Sequence, residues 1–379
     1  YLAKNKRLRH KFFLFTVNSI VFLGRKLKFF RKFIQSLENF LFTPKIHTDI
    51  FKKYKPNALL VTSLGTFDYD QLFIRQAKKN NIKTISTILS WDNSTTRGYP
   101  SSDCDLIITW TETMKKELVN LSDINTSKIH VGGVAHYDKY FDNSYLHSRS
   151  ELNSLLKIDF DSKLIFFATK SPNCYLSNPY VSKLILEAIK ENVFEKKYQL
   201  IVRMHPIFYR RKNNKLVYSD LIDEFKSLQN EHPNLILNQP TIETGSLNYS
   251  MPEDEIKLLA SILHHSSLVV NVFSTLNIEA SIFDTPIVNI SFEGKFDQKY
   301  NKARLNIDQD LNETHNQRIV KSGGVEMVHD PSELISSIKK ELHFPSEKSA
   351  GRKKILNNEA GPFQGKAGKN IADIILNSI

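Results

Sequence analysis

The sequence is poor in cysteine and has no long uncharged hydrophobic run. Only two of its 379 residues are cysteines, Cys104 and Cys174, and neither belongs to a CxxC pair or a Cys/His cluster. A disulfide framework and a structural zinc site are therefore disfavoured, and a reducing compartment fits better. The longest uncharged run of the first 56 residues, residues 12–24, is too short for a membrane-spanning helix, which needs about 20 apolar residues. No small-residue cleavage site follows it, so the run does not resemble a secretory signal.

Several motifs that mark common cofactor and catalytic sites are also absent. There is no GxGxxG or GxxxxGK[ST] string, which argues against a nicotinamide dinucleotide site and a P-loop. There is no GxSxG string, which argues against a hydrolase of the nucleophile-elbow type. No DxD string comes directly after a predicted strand. We therefore predict no metal site and no required cofactor.

The positive charge is concentrated in the first 56 residues. The whole chain carries a net charge of +12, and residues 1–56 hold 14 Lys/Arg against 2 Asp/Glu. Residues 57–379 hold equal numbers of basic and acidic side chains. The length and the 41% apolar content predict two domains, which follow this basic segment.

The basic segment 1–56 alternates cations with aromatic residues and is predicted to be helical. Apolar side chains recur at helical spacing in its second half, at Leu27, Phe30, Ile34, Leu37 and Leu41. One interpretation is that residues 1–42 lie on an anionic membrane surface, where each cation contributes about 1 kcal/mol. The other is a helix of the first domain that packs its aromatics inside and leaves its charges in water. Nucleic acid is not predicted as a partner, because no nucleic-acid-binding module accompanies the charge.

From residue 57 onward, short apolar runs alternate with helical stretches, which predicts parallel sheets covered on both faces. The fold class is α/β, with two Rossmann-like, doubly wound parallel-sheet domains that face a cleft. A polar break at 143–154 separates a domain at 57–150 from one at 151–379. The predicted strands are 58–63, 83–90, 105–110, 128–133, 163–169, 199–205, 234–237, 268–273, 286–290 and 325–329. The predicted helices are 69–80, 111–121, 179–193, 217–230, 253–265, 275–283, 331–342 and 368–378.

Ligands of such sheets bind beyond the carboxyl ends of the strands, so polar residues at strand ends become site candidates. After the strand at 268–273 come Ser274 and Thr275, with Glu279 one helical turn later. Free N–H groups at a helix start favour an anion, and the hydroxyls there suit a phosphate. A carboxylate one turn on suits a vicinal diol such as a ribose. The alternative is that Ser274 only caps the helix.

Two further strand ends carry donor-site candidates. The string IVRMHP ends a buried strand with Arg203, His205 and Pro206, and side-chain alternation predicts that Arg203 and His205 share a face. A cation beside an imidazole suits a pyrophosphate leaving group. Lys170 and Ser171 follow the strand at 163–169 and are predicted to face the same ligand. A structural role for His205 and an ordinary loop at 170–171 remain the alternatives.

In the first domain the candidates lie in two loops that follow strands. The string SWDNSTTRG contains Asp92, Asn93, Ser94 and Thr95, and the loop 63–70 contains Gly65, Thr66 and Asp68. Asp68 or Asp92 is the predicted general base for an acceptor hydroxyl. Acceptor binding is predicted at Gly65, Thr66, Asn93, Ser94 and Thr95. His136 is a weaker candidate, interpreted mainly as structural.

The strings RMHP and FSTLNIEASIFDTPIVNI, about seventy residues apart, resemble those of GT-B-fold glycosyltransferases of bacterial surface polysaccharides. The similarity is to the HP-motif groups: teichoic-acid glycerophosphotransferases and bacterial sialyl- and Kdo-type transferases. SWDNSTTRG, IHVGGVAHYDKYFD and GKAGKNIADIIL are similar to strings in the same kind of protein. The resemblance implies that His205 contacts donor phosphates, that Ser274 and Thr275 bind phosphate, and that Glu279 holds the ribose. No pair of acids before a glycine appears in the first domain, which disfavours a sialic acid donor.

These observations together predict a glycosyltransferase of cell-envelope polysaccharide biosynthesis. It would move a sugar from a nucleotide sugar to a polysaccharide or lipid-linked glycan, in the cytoplasm or peripherally at the inner membrane face. The alternatives are a CDP-glycerol-type glycerophosphotransferase, a nucleotide-sugar 2-epimerase, and a non-catalytic membrane-associated scaffold.

Overall fold

The computed structural model describes residues 2–42, 47–64, 68–100, 102–241, 251–294 and 307–379, with the backbone alone for residues 2–12 and 68. Its contacts divide the chain into two compact units. The first unit comprises Tyr1–Gly132 and Asn370–Ile379, and the second comprises Gly133–Lys369. The predicted domain boundary near residue 150 differs from this division by about one short helix, and the predicted second domain included the C-terminal residues.

The first unit contains a parallel sheet whose four strands follow one another in space as they do in sequence. The strands are β1 (Ala58–Val61), β2 (Lys83–Thr87), β3 (Leu106–Thr109) and β4 (Ile129–Val131). The helices are α1 (Leu2–Lys26), α2 (Lys28–Leu41), α3 (Thr48–Tyr54), α4 (Asp68–Lys79), α5 (Asn93–Thr96) and α6 (Glu112–Ser122). A short 3-10 turn covers Thr126–Lys128. The four strands predicted for this part of the chain are confirmed.

The second unit contains a larger parallel sheet. Its strands are β5 (Lys163–Ala168), β6 (Tyr198–Arg203), β9 (Leu235–Asn238), β10 (Leu268–Asn271), β11 (Ile287–Ile290) and β12 (Glu326–Val328), and β7 (Arg211–Lys212) and β8 (Lys215–Leu216) form a separate hairpin. The helices are α7 (Arg149–Leu156), α8 (Asn178–Lys190), α9 (Ser219–Glu231), α10 (Glu253–His265), α11 (Leu276–Ile282), α12 (Ile307–Asn312), α13 (Thr314–Ser322), α14 (Leu334–His343) and α15 (Ser349–Ile355). Short 3-10 turns cover Ala135–Phe141, Pro206–Tyr209 and Pro331–Glu333, and a π-helical turn covers Leu356–Ala360. The last helix, α16 (Ala367–Leu376), begins in the second unit and continues into the first.

The strand order of the second sheet, β12-β11-β10-β5-β6-β9, reverses once. From β5 the chain proceeds outward through β6 to β9, and it then returns to the other side of β5 and proceeds through β10 and β11 to β12. Strands β6, β10 and β11 are buried along their whole length, as expected for a sheet with helices on both faces. All six predicted strands are confirmed, and with them the α/β class with two parallel-sheet domains.

Helix α16 completes the first unit. Ile371, Ile374 and Ile375 recur at helical spacing and pack against a buried cluster in the first sheet. The amide of Asn370 donates to the carbonyl oxygens of Val131 (3.3 Å) and Gly132 (3.1 Å). A side chain at Gly132 would place its Cβ 2.4 Å from Ile108 and 2.7 Å from Ile371, so the strand end and the helix meet at a position that only glycine allows.

The polar stretch 143–154, predicted as a break, contains most of helix α7. Ser148 and Glu151 form a capping box, in which each side chain accepts the other residue's backbone N–H. The spacing Ser-x-x-Glu was visible in the sequence and is a recognised helix-start signal. The interpretation of this stretch as a polar break without periodicity overlooked the helix, because it weighed polarity above this capping pattern.

No helix in the part of the chain that the structure describes combines the length and apolar content needed to cross a membrane.

Candidate active site

The three donor-side constellations all lie at the carboxyl edge of the second sheet. Strands β10, β5 and β6 are adjacent and parallel, so Thr169–Ser171, Arg203–His205 and Phe273–Thr275 follow neighbouring strand ends. The strand order reverses between β5 and β10, and open α/β sheets bind ligands at such a switch point. The loops with Lys170 and Ser171 on one side and Ser274 and Thr275 on the other flank this switch point.

His205 is held firmly and remains uncharged at neutral pH. Its backbone N–H donates to the hydroxyl of Thr169 (2.8 Å), which in turn donates to the carbonyl of Arg203 (3.1 Å). Its Nδ1 accepts the N–H of Ile207 (3.2 Å) at the start of a 3-10 turn that Pro206 initiates. Burial lowers the pKa of His205 to about 4. Because Nδ1 is an acceptor in this neutral ring, the proton is on Nε2, which is left as a hydrogen-bond donor.

The prediction that Arg203 and His205 share one face of a strand assumed that the strand includes both residues. This assumption was wrong, because β6 ends at Arg203 and His205 lies beyond it. Arg203 is 7% exposed and donates to Glu255 Oε2 of α10 (2.9 Å) and to Asn238 Oδ1 (2.5 Å). Its charge is thus compensated within the protein. Any anion that reaches Arg203 shares it with the Glu255 carboxylate.

Lys170 has a similar arrangement. Its ammonium group forms an ion pair with Asp310 of α12, whose carboxylate is almost completely buried. The backbone around Lys170 is fixed by Asn178, whose amide accepts the N–H of Lys170 (3.0 Å) and donates to its carbonyl (3.1 Å). The sequence predicted the cation at this strand end but not the partner, which is 140 residues away.

Glu279 is a buried carboxylate with two internal donors. The hydroxyl of Tyr140 donates to Oε2 (3.0 Å), and the hydroxyl of Thr275 also hydrogen-bonds to the carboxylate. Burial raises the pKa of Glu279, while these two hydrogen bonds and the charge of Arg203 oppose the rise. A carboxylate has about four acceptor positions, so two donors do not exhaust its capacity. Tyr140 was missed in the sequence, where the only signal was its place in the string AHYDKYFD.

The turn between β10 and α11, which carries the hydroxyls of Ser274 and Thr275, is strained. Phe273 has a positive φ of 41°, which is rare for a bulky residue, and its N–H donates to Asn289 Oδ1 (2.8 Å). The hydroxyl of Ser274 accepts the N–H of Leu276 (3.3 Å), the first residue of α11, but the N-cap position is Thr275, whose side chain makes no capping hydrogen bond. Helix α11 has only seven residues. Phosphate binding at its start therefore stays a prediction.

Three of the first-unit candidates in the loop 90–97, Asp92, Ser94 and Thr95, make hydrogen bonds within the first unit. The carboxylate of Asp92 accepts the hydroxyls of Ser90 (2.5 Å) and Thr96 (2.8 Å). Ser94 is buried and donates to Glu117 (2.6 Å), and the hydroxyl of Thr95 donates to the carbonyl of Asp92 (3.0 Å). These contacts fix the loop internally and tie it to helix α6. Asp92 as base and the acceptor role of Ser94 and Thr95 stay predictions.

The side-chain oxygen of Asn93 is buried without a hydrogen-bond partner, and its role as an acceptor-binding group also stays a prediction. Gly65 and Thr66 lie outside the described residues, as does the side chain of Asp68. Among the described residues, no group of three or more His, Cys, Asp or Glu side chains is placed to hold a metal ion.

The string around His136 has a structural role that the sequence did not reveal. The carboxylate of Asp138 accepts the N–H groups of Ala367 (2.9 Å) and Gly368 (2.7 Å), at the start of α16. The ring of His136 packs edge-on against Tyr137. The strings AHYD and GKAGKN therefore contact each other through these hydrogen bonds, although Asp138 and Gly368 are 230 residues apart in the chain.

No protein-family model and no curated protein matches this sequence. Solved structures do match. MnaA of S. aureus, in a co-structure with UDP, aligns over 92% of this chain and 82% of its own with a TM-score of 0.56 and 15% identity. A UDP-GlcNAc 2-epimerase from Neisseria meningitidis bound to UDP-GlcNAc aligns over 87% and 79% with the same TM-score and identity. A UDP-GlcNAc 2-epimerase from Methanocaldococcus jannaschii gives a TM-score of 0.51 at 17% identity, with the same coverage.

At these identities the likeness shows the fold, which is GT-B-like with two parallel-sheet α/β domains. The wall teichoic acid polymerase TagF gives a TM-score of 0.49 at 14% identity. That value is too low to favour the glycerophosphate alternative.

Proposed function

We propose that this chain is a nucleotide-sugar-dependent glycosyltransferase of surface polysaccharide biosynthesis. It transfers a sugar from a nucleotide sugar to a hydroxyl group of a polysaccharide or lipid-linked glycan. The observation that carries the proposal is the placement of His205 and Glu279 at the carboxyl edge of the second sheet, around the point where its strand order reverses. The likeness of the fold to proteins solved with UDP and UDP-GlcNAc adds support.

In the proposed reaction the acceptor hydroxyl oxygen forms a bond to the anomeric carbon of the donor sugar. The bond from that carbon to the diphosphate oxygen breaks, and the nucleoside diphosphate leaves with the electron pair. His205 donates its Nε2–H to a phosphate oxygen, which stabilises the charge that develops there. Glu279 accepts a hydrogen bond from a ribose hydroxyl, in addition to those from Tyr140 and Thr275.

Lys170 and Arg203 supply positive charge close to the same edge, and Ser171, Ser274 and Thr275 supply hydroxyls. The proton of the acceptor hydroxyl needs a base, for which Asp92 and Asp68 remain the candidates. Acceptor contacts remain predicted at Gly65, Thr66, Asn93, Ser94 and Thr95. No metal or other cofactor is part of the proposal.

The test is binding, measured by thermal shift and then by calorimetry with UDP, GDP, CDP, CMP and dTDP. One nucleoside diphosphate should raise the melting temperature, because a ligand that binds only the native state stabilises it. His205→Ala should weaken that nucleotide by roughly ten- to a hundredfold, the cost of a hydrogen bond to a charged group. His130→Ala, at an exposed position of β4, is the matched control and should leave the affinity unchanged. Equal affinity in both variants would remove His205 from the donor site.

Nucleotide-sugar 2-epimerisation is the second candidate, because the similar structures include two UDP-GlcNAc 2-epimerases. An epimerase needs no acceptor. Incubation with UDP-GlcNAc alone, followed by separation of the two C2 epimers, distinguishes the reactions. An epimer that forms without acceptor would replace the transferase proposal.

The two remaining alternatives have their own signatures in the binding experiment. A shift with CDP or CMP alone would favour glycerophosphate transfer or a sialyl/Kdo-type donor. A protein that binds none of the nucleotides and forms no product would be better described as a scaffold.

A further inference from the structure

Helix α2 makes polar side-chain contacts with the rest of the first unit. Arg31 makes two hydrogen bonds to the carboxylate of Asp123 at the end of α6, at 2.6 and 2.8 Å. One turn later, the buried amide of Gln35 donates to the carbonyl of Pro100 (2.7 Å). Glu38 accepts from Arg75, whose guanidinium is almost completely buried (2.6 Å). Positions 31, 35 and 38 lie on one face of a helix, so the inward face of α2 carries polar and charged side chains, with the half-buried Phe30 and Ile34 beside them.

The opposite face of α2 is apolar and faces solvent. Phe29 is 82% exposed and Phe40 is 84% exposed, and Phe33, Leu37 and Leu41 between and beside them are all more than two-fifths exposed. These positions follow the same helical spacing on the other side of the helix. A surface helix normally turns its apolar stripe toward the core, so α2 is oriented the other way round. The interpretation in which this segment packs its aromatics inside is wrong for three of the four phenylalanines of α2, because Phe29, Phe33 and Phe40 are exposed and only Phe30 is half-buried.

Helix α1 extends the apolar surface. Its uncharged run includes Phe13, Phe15 and Phe22, each at least 62% exposed. Large exposed apolar surfaces are uncommon on monomeric proteins and mark interaction sites. The run has cations at both ends, with five basic residues between positions 4 and 11 and Arg25, Lys26 and Lys28 after it.

Charge decides which partner fits. Residues 1–42 contain ten Lys/Arg and one acidic residue, whereas residues 57–379 have no net charge. A second copy of this chain would bring an equally positive surface against the first. A nucleic acid would satisfy the cations but leave the aromatic face in water. An anionic bilayer satisfies both, because its phosphate groups lie directly above an apolar layer.

We propose that α1 and the outward face of α2 bind the surface of a bilayer that contains anionic lipids. The aromatic side chains of α2 enter the boundary between headgroups and acyl chains, and the flanking cations lie at the phosphates. The contacts of Arg31 and Glu38 fix the rotation of α2 about its own axis. The aromatic face therefore points to solvent already in the lipid-free protein. This inference rests on α1 and α2 alone and does not depend on the donor site.

The test is flotation of the full chain with vesicles of equal parts phosphatidylglycerol and phosphatidylcholine, compared with phosphatidylcholine alone. The chain should float with the anionic vesicles, and added salt should release it. Phe29→Asp/Phe40→Asp should abolish flotation. Phe160→Asp/Phe344→Asp is the matched control, since these two phenylalanines in the second unit are also exposed, at 84% and 62%.

A second pair of variants tests the charges and leaves the apolar face intact. Arg25→Gln/Lys26→Gln should weaken binding to the anionic vesicles roughly thirtyfold, because each cation contributes about a factor of five. Lys212→Gln/Lys215→Gln, on the exposed hairpin of the second unit, should have no effect. If the aspartate variants lower the melting temperature, this charge pair decides the matter by itself.

Three outcomes would overturn the proposal. The first is no flotation of the unmodified chain with the anionic vesicles. The second is equal flotation of each test pair and its control. The third is a dimer, seen by light scattering without lipid, that Phe29→Asp/Phe40→Asp converts to a monomer with no change in flotation. The last result would assign the apolar face to a second copy of the chain.

Discussion

The two sheets of this protein differ in how their strands are ordered, and the difference separates two kinds of polar loop. The first sheet never reverses, and in the loop after its second strand Asp92 and Thr95 have partners within the loop, while Ser94 donates to Glu117, 23 residues away. The second sheet reverses between β10 and β5, and the polar groups there are ionisable, buried and paired over long distances. In the sequence the two kinds of loop look alike. The strand order distinguishes a candidate site from a turn that stabilises itself.

The largest expected difference between the two units concerns their ion pairs. Arg203→Met should destabilise the protein by about 3–5 kcal/mol, because it leaves the buried carboxylate of Glu255 without a partner. Arg31→Met in the first unit should cost about 1 kcal/mol, because Arg31 is partly exposed and Asp123 keeps the Tyr99 hydroxyl and Lys28 as partners. Denaturant unfolding of both variants measures the difference. Arg203→Met/Glu255→Leu should recover most of the loss, and equal costs for Arg203 and Arg31 would contradict the contrast.

A second difference between the two units should appear in how stability depends on pH. The pKa of His205 is about 4 in the folded protein, below the usual 6.5, so the unfolded chain binds a proton that the folded chain does not. Its contribution to stability is complete above about pH 6.5 and is lost as the pH falls toward 4, by at most about 3 kcal/mol. His205→Asn keeps an acceptor for the N–H of Ile207 and should flatten this part of the stability profile. His130→Asn, at an exposed position of the first unit, should not, and two identical profiles would show that burial of His205 is unimportant.

The smallest expected effect concerns ligand affinity. Glu279→Gln keeps an acceptor for Tyr140 but removes the carboxylate, so nucleotide affinity should fall about tenfold. Asp92→Asn in the first unit should leave nucleotide affinity unchanged. Calorimetry with the best nucleotide compares the two variants. A loss in Asp92→Asn with none in Glu279→Gln would move the donor site to the other sheet.

The sequence predicted the strands well because buried parallel strands are continuous apolar runs, a local property. All ten strands of the two large sheets lie within the predicted runs or one residue beyond them. The hairpin of β7 and β8 was missed, although its Asn213-Asn214 turn, with both φ values positive, is a known hairpin signal. Two-residue strands are too short for any apolar pattern to indicate them.

The site was only partly predictable. Residue type and position after a strand identified Lys170, Arg203, His205 and Glu279. The partners of three of these side chains lie far away in the chain, and nothing local indicates them. Glu255 is 52 residues from Arg203, Tyr140 is 139 from Glu279, and Asp310 is 140 from Lys170. Pairings at such separations depend on strand order, which the alternation of strands and helices does not determine.

The return of the chain to the first unit through α16 has a consequence for biosynthesis. Ile371, Ile374 and Ile375 cover Ile85, Leu106 and Ile108 of the first sheet, yet a ribosome makes them only after the whole of residues 133–369. The four strands of the first sheet emerge early, but one of its faces stays uncovered until translation has passed residue 375. The second unit has all its residues before then. The unit that is translated first is therefore the one that completes its core last.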